Sequence, residues 1–329
     1  MSGVIHDIDP TGDVILVLSS QRENRDTCLV PATPAQPPVK QESPESSTML
    51  DNPVVGYLSS RSKYRVSSKH MILASRYMKR SLKRITGSDG KLPGQAEVTL
   101  LDCNQDALVI ILNIIHGYNR EVPRSLDIKV LVNIANVVRY LECQEVVDTF
   151  AYIWLQKVRE AQDPKAIVPD WVYASYVLGD SKAFQMATKS VQRHKSSSLH
   201  RFNPPIPSRI KQDIVNAQSE VRDKLLTLLD TTELKLRGTP NSCTYDCDSM
   251  YLGALLKHRT RTNTACPTPD PPYRLCPRYL VKCISEFRSP RLCPRKDCQN
   301  MKWFVNLECD AKDEEEKLQG LSLNDYLDQ

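Results

Sequence analysis

Five consecutive apolar residues, Val14-Ile15-Leu16-Val17-Leu18, follow a turn signal at Thr11-Gly12-Asp13. So short and so apolar a run predicts a strand covered on both faces. Tyr64-Arg65-Val66 alternates large apolar, polar and β-branched positions, as the end of a half-buried strand does. Either hydroxyl of Ser67 or Ser68 is suited to cap a helix, and Met71-Ile72-Leu73-Ala74 then arrive as one apolar block, predicting a buried helix. Ser75, Tyr77, Met78 and Leu82 continue into a second helix whose outer face, Arg76, Lys79, Arg80, Lys83 and Arg84, is basic. Glu97-Val98-Thr99-Leu100 reads as a short strand. Asp102 or Asn104 is placed to cap a helix over Gln105–His116, and Gly117 stands where a left-handed C-terminal cap is expected.

Beyond that point the period is helical throughout. Leu126, Val130, Ile134, Val137 and Val138 share one face, and Val147, Ala151, Trp154 and Val158 share another. These two helices are expected to close a first domain, with Pro164 at its edge. Trp171, Ala174, Val177 and Leu178 predict a short helix, and Phe184, Ala187 and Val191 a further one. After a loop at His194–His200 and Pro204, Pro205 and Pro207, the strongest periodicity of the chain covers Ser208–Leu236. There Ile210, Ile214, Ala217, Val221, Leu225, Leu228 and Leu229 follow one another at helical spacing. Asp248–Lys257 and Tyr279–Phe287 are expected to be short helices, Asp310–Lys317 a charge run, and Leu318–Leu327 a last weak helix.

The run Gly12–Leu18, then YRVSS and ILASRYM from Tyr64 to Met78, then VTLLD and ALVIILNIIHGYNREVP from Val98 to Pro123, resembles the BTB/POZ domain, above all the BTB proteins of filamentous fungi. ANVVRYLEC within Leu126–Val158 resembles the closing helices of that domain. The resemblance implies an α+β fold, a small mixed sheet covered by helices over residues 1–160. It marks Asp13, Val66, Leu73, Ala74, Ser75, Tyr77 and Gly117 as core or interaction positions of the motif. A mostly helical region would follow over 165–237, a cysteine-rich helical region over 238–309 and a charged tail over 310–329. The sequence departs from the family in two places. About a dozen residues precede the first strand, too few for the N-terminal helix of the swapped dimer, and Leu82-Lys83-Arg84 puts arginine where cullin adaptors carry glutamate. Ser67 stands where animal members usually carry histidine, which the fungal members also replace.

Residues 21–62 hold Pro31, Pro34, Pro37, Pro38, Pro44 and Pro53 among polar residues, a composition that predicts a disordered insertion between two strands. Val39-Lys40-Gln41-Glu42 fits the short pattern for SUMO attachment to Lys40, and Ser43-Pro44 a proline-directed phosphosite. A solvated linker explains both as well.

The totals trim the function classes. With 329 residues, 40% hydrophobic and 6% aromatic, the chain has enough apolar residues for two cores and few rings for reading single-stranded nucleic acid. A net charge of +5 permits acidic partners without demanding nucleic acid. No window is apolar enough to span a membrane, and the start, MSGVIHDIDP, is unlike a secretory signal. An intracellular protein of cytoplasm or nucleus is therefore expected. Its eleven cysteines read as thiols or metal ligands.

Eight of those cysteines lie between Cys243 and Cys309. The pairs Cys243-x3-Cys247 and Cys293-x4-Cys298 would supply four sulfur donors to zinc, although neither has the tighter C-x2-C spacing. Free buried thiols and regulatory disulfides remain open alternatives, Cys283 reads as core, and Cys28, Cys103 and Cys143 as isolated small hydrophobes. His258 is a further donor candidate or a solvated helix-end histidine. The six histidines are scattered, and the 11 glycines form no phosphate loop. A non-enzymatic interaction protein is expected, binding other proteins or itself as a homodimer, with neither a small-molecule substrate nor a resident cofactor. The alternative is a nuclear regulator whose C-terminal zinc module contacts nucleic acid or a partner. A thiol enzyme or redox sensor is the third class.

Overall fold

The computed structural model describes residues 5–19, 62–86, 95–161, 169–194, 206–238, 242–265, 275–290, 293, 295 and 298–327. All of the expected insertion at 21–62 but Ser62, including Lys40 and Ser43, the loop at 195–200, Cys28 and Cys266 lie outside them. The fold is mixed α+β, mainly helical with one four-stranded sheet. The chain divides into two compact units, Met1–Glu121 and Val122–Gln329.

The first unit is built on β1 (Ile5–Asp7), β2 (Val14–Ser19), β3 (Lys63–Val66) and β4 (Ala96–Leu101), in the sheet order β1-β3-β2-β4. β2 runs antiparallel to β3, with Val14 opposite Val66 and Leu16 opposite Tyr64, and parallel to β4, with Leu16 opposite Val98. One of the two inner strands, β2 buries Val14, Ile15, Leu16 and Val17 in succession, whereas the edge strand β4 alternates, burying Ala96, Val98 and Leu100. Gly12 is required where it stands, because a Cβ there would lie 2.5 Å from the Val66 carbonyl oxygen.

Between β3 and β4 come α1 (Ser68–Ala74) and α2 (Arg76–Ile85). Ser67 is the N-cap residue of α1, but its side chain caps nothing. Asp13, just before β2, does that work: one carboxylate oxygen accepts from the Ser68 N–H at 2.8 Å and the other from its hydroxyl at 2.7 Å. Those bonds hold the Asp13 carboxyl below its usual pKa, against the raising effect of desolvation, the largest single contribution. Ser75 caps α2 by accepting from the Met78 N–H. α3 (Gln105–Ile115) is capped by Asn104 rather than Asp102, and Gly117, at φ +80°, ends it as expected.

The apolar block of α1 is not the buried face that its composition predicts. Met71 is fully buried, but Ile72 is 37% and Leu73 87% exposed, and Ala74 is half-buried. Consecutive helical residues are turned about 100° apart, so four apolar neighbours cannot share one face. Of the motif positions, Val66 and Ser75 are buried, Tyr77 is half-buried, and Asp13, Leu73 and Gly117 are exposed.

The second unit holds α4 (Ile128–Leu141), α5 (Gln144–Ala161), α6 (Pro169–Leu178), α7 (Ser181–Arg193), α8 (Ser208–Arg237), α9 (Tyr245–Arg261), α10 (Pro277–Ser285) and α11 (Gln299–Glu316). α4 and α5 pack with α6, and all three fall in the second unit. The Trp154 indole N–H donates to the Pro123 carbonyl at 2.7 Å, and the Tyr173 hydroxyl to the Asn136 side chain at 2.7 Å. α7, α9, α10 and α11 all pack on α8. The expected charged tail is the second half of α11, which buries Ala311 and Glu315. Leu318, Leu323 and Tyr326 beyond it are buried too, the last two in a 3-10 helix over Leu323–Tyr326. Charge spacing hid the single apolar stripe. Arg259, 6% exposed, ties α9 to α8 through Asp230 at 2.5 Å and Glu233 at 2.6 Å.

Met71→Asp will unfold the first unit, because an unpaired buried carboxylate costs several kcal/mol out of roughly 5–15 for a domain. Leu73→Asp, at an exposed position, will change stability by about 1 kcal/mol or less. Urea unfolding followed by circular dichroism separates the two; equal effects would overturn the assigned helix face.

Candidate metal centre

Two helix starts bring the cysteines together. Thr244 caps α9, its hydroxyl accepting from the Cys247 N–H at 3.2 Å. Cys247 thus sits in the first turn and Cys243 just outside the helix. Cys298 is the N-cap residue of α11, and Cys293 lies on the segment that leads into it. The Cys243 and Cys293 sulfurs are 3.7 Å apart, those of Cys247 and Cys298 3.6 Å, and all four lie within 4.8 Å of one another. Cys247 and Cys298 are buried and Cys243 and Cys293 half-buried, within a core that includes Tyr251, Leu255, Leu275 and Leu307. The loose x3 and x4 spacings suffice because each pair bridges a loop and a helix start rather than a tight knuckle.

Two buried polar residues that sequence reasoning missed organise the cluster. The Asp248 carboxylate, in a residue 3% exposed, accepts from the Ser242 N–H at 2.8 Å, the Cys243 N–H at 3.2 Å and the Asn300 amide at 2.7 Å. Asn300 is fully buried, and its Nδ2 also lies 3.5 Å from the Cys247 sulfur. One carboxylate therefore joins the loop before α9 to the first turn of α11. Asp248 directly follows Cys247, which is a faint signal; Asn300 has none.

The thiols differ. Burial pushes the Cys247 thiol far up, with the neighbouring sulfurs adding to it, and pushes Cys243 up as well. Cys293 is drawn below the usual thiol value, chiefly by the Arg295 backbone N–H. The positive ends of the α9 and α11 dipoles face the same cluster, which favours negative sulfur. Four sulfurs on one point would complete the shell of a tetrahedral ion and leave no position for a substrate or water, the arrangement of a structural site.

Among the described residues the other cysteines stay apart from the cluster. Cys276 precedes α10, Cys283 is buried within it as expected, and Cys309 is exposed. His258 is neither a ligand nor solvated: it is buried, its Nε2 bonds the Cys283 carbonyl at 2.8 Å, and its ring stands edge-on to Phe287. Burial raises the Cys103 thiol to about 11 and the Cys143 thiol to about 12.

The second group of donors in the described residues, Asp9, His70 and His116, converges in the first unit and was invisible in sequence. His116 Nε2 accepts from the Ser67 N–H at 3.1 Å, which leaves Nδ1 to donate to the Leu112 carbonyl at 2.9 Å. Both nitrogens are engaged in holding the start of α1, so a metal would have to displace a backbone bond. Burial, with a smaller contribution from His70, holds the His116 pKa below its ordinary value of 6.5. A depressed imidazole means that the unfolded chain binds the proton more readily, so stability rises with pH. It is full above about 6.5 and falls as pH drops from there toward the lowered folded value.

Chemical denaturation of the protein between pH 7.5 and pH 5 will therefore show the first unit losing stability below about 6.5. His116→Gln, whose side-chain oxygen still accepts from Ser67, will flatten that slope. An unchanged slope in the variant would remove His116 as its source.

No protein-family model, curated protein or solved structure matches this chain.

Proposed function

We propose that this chain is a non-enzymatic interaction protein whose first unit is a BTB/POZ domain that associates with a second copy of itself. The order β2, β3, helix pair α1–α2, β4, α3 after the short β1 supports the reading, with β2 antiparallel to β3 and parallel to β4. The observation that carries it is the outer face of α1. Leu73, 87% exposed beside the partly exposed Ile72, offers apolar area that the unit does not use in its own core. Arg84, in place of the glutamate of the adaptor signature, weighs against a cullin contact.

The chemistry of the described residues points away from catalysis. The His116 imidazole is committed at both nitrogens, and an ion held by the four sulfurs would have no open position for a substrate. Cys103 and Cys143 are too weakly acidic to be thiolate nucleophiles. No helix among the described residues is long and apolar enough to cross a membrane. The second reading, a nuclear regulator with a C-terminal zinc module, draws its support from the convergence of Cys243, Cys247, Cys293 and Cys298.

Sedimentation and native mass spectrometry at micromolar concentration test the proposal. The wild type will be a dimer and Leu73→Asp a folded monomer with the circular dichroism of the wild type. A monomeric wild type, or a Leu73→Asp variant that stays dimeric, would overturn association through this face.

A further inference from the structure

We propose that Cys243, Cys247, Cys293 and Cys298 hold one structural zinc ion that locks the start of α9 to the start of α11. The metric fits a single ion. A tetrahedral zinc with bonds of about 2.3 Å to sulfur sets its ligands about 3.8 Å apart. The two closest sulfur pairs stand at 3.7 and 3.6 Å, and no two of the four are more than 4.8 Å apart. An iron–sulfur cluster of several irons needs its cysteines spread around the cluster; these converge on a point. An all-thiolate tetrahedral set selects a soft or borderline ion, zinc above the hard cations.

The alternative partners of these sulfurs fit less well. A disulfide needs about 2.05 Å between sulfurs, and each sulfur here has three sulfur neighbours instead of one. The surroundings are built for negative sulfur. The Asn300 amide points at Cys247, and Asp248 fixes the loop that carries Cys243 to the helix turn that carries Asn300. Such a second shell orients ligands before the ion arrives.

The location explains what the ion does. α9 and α11 each pack along α8, and their first turns meet at the sulfurs. Next to the site Tyr251 stacks on Phe304 at 5.4 Å, and Phe304 on Phe287 at 4.2 Å. Zinc therefore closes the end of a core that would otherwise depend on two loops. The proposal concerns the second unit alone and stands whether or not the first unit dimerises.

The test is metal analysis of the full chain, purified under reducing conditions, together with its denatured mass without reductant. Wild type will carry one equivalent of zinc and will lose no hydrogens to disulfides. Cys243→Ser, half-buried and tolerant, will fall well below one equivalent, while Cys309→Ser will keep it. Treating wild type with a strong chelator will lower its melting temperature, and added zinc will restore it. Replacing zinc by Co2+ will give the intense sulfur-to-cobalt absorption of a tetrathiolate, which reads the ligand set even if a variant misfolds. Iron in place of zinc, a mass lower by four hydrogens, a metal-free protein that melts unchanged with added zinc, or full zinc retention in Cys243→Ser would each overturn the proposal.

Discussion

The apolar stripe of α8 is the constraint on which the second unit is assembled. Ile210, Ile214, Val221, Leu225 and Leu229 are buried along thirty residues of one helix, and α7, α9, α10 and α11 all pack against it. Such a stripe removes apolar area from water only if other helices cover it. The coverings are short, and two begin at loops with little apolar content of their own. This is where the unit turns to polar devices: Arg259 joining α9 to Asp230 and Glu233, and Glu315, buried in α11, meeting Arg193 at 3.4 Å and Arg278 at 3.2 Å.

The sulfur cluster belongs to the same logic. Hydrophobic contact along α8 sets where α9 and α11 lie, but it does not fix how their first turns meet. Asp248 and Asn300 do so by hydrogen bonds, and a tetrahedral ion would add a directional crosslink at that point. The four thiols are not equivalent within the cluster: burial raises Cys247 and Cys243, while the Arg295 backbone N–H draws Cys293 down.

In the first unit, side chains from distant elements hold the start of α1. Asp13, just before β2, caps Ser68, and His116 from the end of α3 caps Ser67. A helix of seven residues is too short to be stable by its own hydrogen bonds, so its orientation is decided by these two contacts and by the burial of Met71. With that orientation fixed, Leu73 is left outside.

Local pattern determined a good deal. The run at Val14–Leu18 became an inner strand, Asn104 and Gly117 bound α3, and the period of α8 located the longest helix almost to the residue. The four cysteines were nameable as a donor set because sulfur-bearing residues have few other uses in paired loops. Only the tertiary structure decided which of Met71, Ile72 and Leu73 faces inward, that α4 and α5 join α6, and that a charged segment continues α11. It alone brought Asp248 and Asn300, or His70 and His116, together. Strand and helix periods are properties of neighbouring residues, and a sequence carries them directly. Which face is covered, and which distant donor meets which acceptor, depends on packing between elements far apart in the chain, and no local pattern encodes it.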